Sequence, residues 1–484
     1  MTRETLTLFD TTLRDGAQTH GVDFSLEDKV LIAEQLDRLG LDYVEAGYPG
    51  ANPVDTEYFS KDRKLGAKVT AFGMTKRPGR SVSNDPGFQA LLAAKADAIC
   101  LVGKTWDFHV DVALGISPEE NLAGIRESIE AVVAAGREAL LDCEHFFDGF
   151  KANPDYALSC AKAAYEAGVR WVVLCDTNGG TLPEEVHAIV TEVVTHIPGD
   201  HVGIHAHNDT DNGVANSLAA VRAGARQIQG TLNGLGERCG NANLTSVVPT
   251  LLLKERYAQR FETKISPETL GTLTHASRIL DEILNQAPNR HAPYVGEAAF
   301  AHKGGIHVSA VKKDPRTYEH VAPETVGNAR KLLVSNQGGR SNVLAQLESS
   351  GLTVANDDPR VSRLVELVKE REAVGYAYEA AEASFELLAR RMLETVPQFF
   401  EVDSFRVMVE RRHNALGELV TVSEATVKAS VHGNAVMSVG EGNGPVNALD
   451  NALRKDLGPY QSYIDDLELV DYKVRILTGG TDAV

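Results

Sequence analysis

The chain is short of cysteine, of positive charge and of long apolar runs, and each shortage removes a class of protein. Its 5 cysteines among 484 residues (Cys100, Cys143, Cys160, Cys175 and Cys239) are scattered, odd in number and without a CxxC pair. That argues against a disulfide framework or a cysteine-built zinc site and for reduced thiols in a cytoplasm. Lysine and arginine number 48 against 67 aspartates and glutamates, a formal net charge of −19. Such a field disfavours nucleic acid or an anionic membrane as partner, so an anionic substrate must be caught by local cations. No apolar run approaches the roughly 20 residues of a membrane span. The opening MTRETLTLFD enters a strand with no signal-peptide core. Low-complexity segments and short solenoid repeats are absent as well. What is present, 43% hydrophobic and 24% charged residues, is an ordinary globular composition.

Along the chain, β-rich runs alternate with amphipathic helical patterns. The expected strands are Thr5–Asp10, Leu41–Ala46, Ala67–Gly73, Ala96–Val102, Glu138–Glu144, Val169–Asp176, His201–His207 and Ala225–Leu232. The helices between them carry start signals. Ser25 with Asp28 forms a capping box. Ser117-Pro118, Asn153-Pro154 and Leu182-Pro183 place proline at the first helical position. Eight βα units over roughly 250 residues predict an α/β chain opening with a (β/α)8 TIM barrel. A doubly wound open sheet is disfavoured because no GxGxxG follows the first strand. Residues 1–265 are read as this barrel, 266–398 as a helical linker region, and 399–484 as a small, incomplete α+β regulatory-type domain. In the last, FEVDSFRVMVERR and VTVSEATVKASVHG read as strands, a helix enters at about Pro445, and Tyr472–Leu477 reads as a final strand.

In a TIM barrel the chemistry sits at the carboxyl ends of the strands, and here those ends collect reactive side chains. His205 and His207 are two apart in a strand and share a face. With Asp15 after the first strand they offer two nitrogens and one carboxylate, leaving positions open for substrate and water. Magnesium, manganese and zinc all suit such a set. Asn241, in the GERCGNAN loop, offers an amide oxygen or serves as a turn residue. Arg14 can grip a substrate carboxylate or an oxyanion, or form a salt bridge, for example to Glu45. Glu144 is a candidate acid/base or arginine partner. Thr177 is a candidate carboxylate grip or helix N-cap. His307, in the glycine-flanked KGGIH segment, is a candidate general base or acid. His145, His201 and His302 read as structural.

FDTTLRDGAQ on the first strand, HAHND on the seventh and NGLGERCGNA after the eighth resemble the 2-isopropylmalate/homocitrate synthase family. These are metal-dependent acyl-CoA Claisen enzymes on a TIM barrel, related to 3-hydroxy-3-methylglutaryl-CoA lyase. The resemblance runs past the barrel into the C-terminal region, which favours the synthases over the lyases. EHFFDGFKANPDYAL and GYAYEAAEASFELL are most similar to the branch that joins acetyl-CoA to pyruvate on the way to isoleucine. The resemblance implies Asp15, His205 and His207 as ligands of a divalent metal, with Asn241 in or beside that shell. It implies Arg14 and Thr177 as grips on the 2-oxo acid and Glu144 as the carboxylate paired with Arg14. It further implies a homodimer in which His307 and Tyr318 complete the partner's site, and isoleucine as an effector. Within the family, a 2-isopropylmalate synthase would take 2-oxoisovalerate instead of pyruvate, with Phe72, Met74, Leu101 and Asp142 as expected pocket walls. A metal-dependent TIM-barrel hydrolase is disfavoured because its histidine pair belongs on the first strand.

Overall fold

The computed structural model describes residues 3–332, 339–373, 381–394, 396–413 and 415–455, together with 376, 378, 457, 460–464 and 466–469. The expected strand Tyr472–Leu477 lies outside the described residues. The chain divides into two compact units, one of residues 1–302 and 307–332, the other of 303–306 and 333–484.

The first unit holds a closed, all-parallel eight-stranded barrel. Its strands are β1 (Thr7–Asp10), β2 (Tyr43–Gly47), β3 (Lys68–Met74), β4 (Ala98–Lys104), β5 (Glu138–Glu144), β6 (Trp171–Asp176), β7 (Val202–Ala206) and β8 (Gln227–Gly230). Closure comes from β1 pairing with β8, Thr7 opposite Gln227 through Asp10 opposite Gly230. Thr5, expected in the first strand, belongs instead to a two-residue strand paired with Phe261–Glu262 beneath the barrel. The helices begin where the sequence signals fall. Ser25 and Asp28 exchange capping hydrogen bonds before Leu26–Leu39. Ser117 and Asn153 cap Pro118–Ala134 and Pro154–Glu166 through their side chains.

Two apolar layers hold this unit. Phe9, Tyr43, Cys100, Leu140, Trp171 and Val173 fill the barrel interior. A larger shell, including Leu36, Val44, Ile129, Val172, Val190 and Ile228, fastens helices to strands. Burial on both faces accounts for near-continuous apolar runs such as WVVLC in β6. Four of the five cysteines are packed inside as small hydrophobes, and Cys239 is exposed.

In the second unit, helices Arg340–Ser349, Pro359–Ala373 and Glu382–Leu393 close over their own core of Val343, Leu347, Val361, Leu364, Phe385 and Ala389. The helical linker region expected over 266–398 is not continuous. It is broken where Tyr378 turns into that core and meets Phe385 edge-on, ring centroids 6.4 Å apart. Beyond it lies a three-stranded antiparallel sheet of Phe400–His413, Leu419–Val431 and Asn434–Gly442. The third strand was not expected from the sequence. Helix Pro445–Arg454 packs on the sheet through Ala448 and Ala452, where Gly440 and Gly442 leave room for its backbone.

Candidate active site

The polar ends of β1, β7 and β8 converge at the carboxyl mouth of the barrel. After β1 the chain turns sharply. Asp10 accepts from the Thr12 backbone and hydroxyl, both at 2.8 Å, and Asp15 N donates to Thr11 O at 2.9 Å. This turn aims Asp15 inward, where its Oδ2 lies 3.2 Å from His205 Nε2 and 3.7 Å from His207 Nε2. His205 is on β7. His207 lies just past it, bridged to Asn241 as the loop after β8 runs back antiparallel along the strand end. Asn241 is buried there and donates through Nδ2 to Asp15 Oδ2 at 2.9 Å, which places it against the candidate ligands and not on a surface turn.

These residues fit a divalent cation. The donor atoms of Asp15, His205 and His207 lie within 4.8 Å of one another, all buried. Asn241 Oδ1 is a buried acceptor with no hydrogen-bond partner. Burial opposes ionisation of Asp15, but Arg14 and the two histidines outweigh it and hold the carboxyl well below its usual range. Burial, reinforced by His205, lowers His207 to about 3, so its imidazole is neutral, as a ligand must be. For His205, burial is overcome by the bond to Asp15, which pushes it up to about 9. Its Nδ1 faces Gln229 Oε1 at 2.7 Å, and Gln229 Nε2 donates to Asp142 Oδ1 at 3.1 Å. With Nδ1–H donated to that amide oxygen, Nε2 is the atom that would meet a metal, which would have to displace the proton that Asp15 holds there. Gln229 was missed in the sequence, where its signal was a glutamine inside the buried strand QIQG.

Arg14 lies beside this centre. Its Nε donates to Glu45 Oε2 at 2.7 Å, its Nη1 is 3.1 Å from Asp15 Oδ1, and its Nη2 is 4.0 Å from Asp142. The guanidinium rests on the Phe72 ring at 3.9 Å. Burial disfavours the charge, but Glu45, Asp15 and Asp142 together keep Arg14 cationic. The pairing of Arg14 with Glu144 is therefore corrected. Glu144 bonds Lys104, its register neighbour on β4, whereas Arg14 leaves β1 beside β2 and so meets Glu45. Thr177 does not cap a helix. The following helix starts at Pro183 with Leu182 at its N-cap, and the Thr177 hydroxyl accepts from His145 N at 2.8 Å.

Of the expected walls, Phe72 lines a cavity of about 450 Å³ together with Arg14, Leu13, Tyr48 and Lys29. Leu101 is buried in the core, Asp142 is engaged by Gln229, and Met74 lines a separate cavity with Lys76 and Arg77. His307 and Tyr318 stand together with ring centroids 4.1 Å apart, both exposed, Tyr318 by 45% and the adjoining Ile306 by 80%. His145 meets His109 at a tilt, ring centroids 4.2 Å apart. His201 meets Arg170 O at 3.0 Å and His302 meets Glu319 at 3.2 Å.

The HMGL-like family matches residues 5–272. A homocitrate synthase post-HMGL domain-like family matches 294–375, and the LeuA allosteric (dimerisation) domain matches 379–484. An (R)-citramalate synthase from Aquifex aeolicus is 48% identical over 99% of this chain and 90% of its own length. One from Geobacter sulfurreducens is 48% identical over 98% of this chain and 88% of its own length. The chain belongs to the (R)-citramalate synthase family. A probable 2-isopropylmalate synthase from Methanopyrus kandleri is more distant, at 34% over 99% of this chain and 90% of its own length. Membership of the citramalate synthase family accords with a barrel whose buried Asp15, His205 and His207, a group able to hold a metal ion, lie beside Arg14. None of the described helices is long and apolar enough to cross a membrane.

Proposed function

We propose that this chain condenses acetyl-CoA with pyruvate and hydrolyses the product thioester, giving (R)-citramalate and CoA, a precursor-forming step toward isoleucine in the cytoplasm. The observation that carries the reading is the buried Asp15–His205–His207 set, with Asn241 against it and Arg14 at its edge. A divalent ion, magnesium, manganese or zinc, bound there supplies Lewis acidity toward the keto oxygen and carboxylate of pyruvate.

The remaining work falls to side chains. Arg14, fixed by Glu45 and backed by Phe72, presents its remaining donors to the 2-oxo acid and stabilises the alkoxide that develops at C2. Thr177 keeps a hydroxyl proton to donate to the pyruvate carboxylate, since its oxygen accepts from His145 N. His307, steadied by the Tyr318 ring, takes the methyl proton of acetyl-CoA. Both rings are exposed in their own chain, which supports their insertion into the partner's barrel in a homodimer. Glu144, bonded to Lys104, is a second acid/base group at the mouth of β5. Isoleucine acts through the C-terminal sheet, a reading supported by the allosteric domain match; activity unchanged at saturating isoleucine would remove that role.

Thiol release from acetyl-CoA tests the whole reading, with pyruvate and 2-oxoisovalerate compared, each with and without EDTA. Metal-dependent turnover that strongly prefers pyruvate is expected. No release with either acid after manganese or magnesium is restored would sink it.

A further inference from the structure

Lys29 projects from helix Leu26–Leu39 and is buried. An ammonium has three donors and no acceptor, and each donor here has a partner. Nζ donates to Leu13 O at 2.9 Å, to Ala46 O at 2.8 Å, and to the Asp55 carboxylate. Leu13 immediately precedes Arg14, and Ala46 immediately follows Glu45. One cation therefore ties together the two strand exits whose side chains form the Arg14–Glu45 bond.

The anchor is itself built in. Asp55 accepts from Tyr48 N and Asn52 Nδ2, each at 2.8 Å, and sits directly against Gly47. Gly47 has φ of +146°, and a Cβ there would overlap the carboxylate. Burying an ion pair costs desolvation that an apolar pair of similar volume avoids, so stability alone does not call for a charge here. Position does, because ammonium donors reach two carbonyls and a carboxylate that an apolar group cannot hold. Lys29 also lines the cavity that Arg14 and Phe72 face.

We propose that Lys29 is a positioning residue for Arg14: its charge, set on Asp55, fixes the Leu13 and Ala46 peptides and with them the angle at which the guanidinium meets the 2-oxo acid. The proposal rests on the synthase reading above.

The test uses the full metal-loaded chain. In the double variant Lys29→Met/Asp55→Asn neither charge is left buried alone. It is expected to keep manganese affinity and the KM for acetyl-CoA, while kcat/KM for pyruvate falls about ten- to a hundredfold, the scale of a displaced catalytic group. Lys29→Ala is expected to regain pyruvate-dependent turnover with added ethylammonium and not with neutral ethanol. Wild-type kcat/KM for pyruvate in the double variant would overturn the proposal. So would equal losses toward both substrates, or a double variant that fails to fold, since the pair would then serve stability. A wild-type protein without pyruvate-dependent thiol release defeats the synthase reading instead, so the two failures are distinguishable.

Discussion

Asp10 is completely buried on β1, and burial, partly offset by its hydrogen bonds with Thr12, raises its pKa to about 7. An unfolded aspartate titrates near ~3.9. Between those values the folded chain holds a proton that the unfolded chain releases. The stabilising contribution of this group is full below about pH 4, declines toward pH 7 and is absent above. Asp10→Asn cannot ionise. Its melting temperature relative to wild type is expected to improve by a few degrees between about pH 5 and pH 8; a difference independent of pH would show that Asp10 is not the group responsible. Gln229 makes a second residue-scale prediction. Gln229→Leu leaves His205 Nδ1 without its acceptor and should weaken manganese or zinc binding about 10–100-fold, measured by titration of the metal-free protein. The convergence of His205 and His207 was legible in the sequence, because an HxH spacing at a strand end places both rings on one face whatever surrounds them. Gln229, Lys104 and Lys29 were not, because their partners are set by barrel register and helix packing and not by local spacing.

The loop after β8 shows what its glycines are for. A Cβ on Gly236 would overlap Asn241 Nδ2, and one on Gly240, at φ of +91°, would overlap Gly234 O. The spacing in NGLGERCGNA thus lets the loop fold back tightly enough to bring Asn241 to Asp15. Gly236→Ala is expected to displace the Asn241 amide, lowering metal affinity and turnover at least tenfold while the circular dichroism spectrum of the barrel is unchanged, a side-chain displacement of the size that costs such factors. The barrel strands were readable because double-sided burial makes them short apolar runs between capped helices. The strand Asn434–Gly442 was not. Its two-residue turn is His432-Gly433, with φ of +51° and +78°, where the usual cue is asparagine or aspartate before glycine. The turn geometry is ordinary and only its first residue is unusual.

For the whole molecule, the proposed sharing of a site between two subunits makes a prediction that no single variant can. Asp15→Asn lacks the metal set and His307→Ala lacks the proposed base, and each alone should be inactive. Mixed and allowed to exchange subunits, they form heterodimers with one intact site, restoring about a quarter of wild-type specific activity if assembly is statistical in a twofold dimer. Absence of recovery despite demonstrated exchange would place each site within a single chain. The barrel's closure has a different consequence, one of timing. The bond from Asn241 to Asp15 spans 226 residues of sequence, and β1 meets β8 only when the last strand is in hand. During synthesis Asp15 emerges long before its histidine and asparagine partners, at roughly 5–20 residues per second. A nascent chain interrupted before residue 205 therefore carries Asp15 without either histidine, and one interrupted before 241 lacks Asn241, so the proposed metal site is complete only when the ring has shut. At the proposed metal site, an ion would be selected by a finished cage and not by a growing chain.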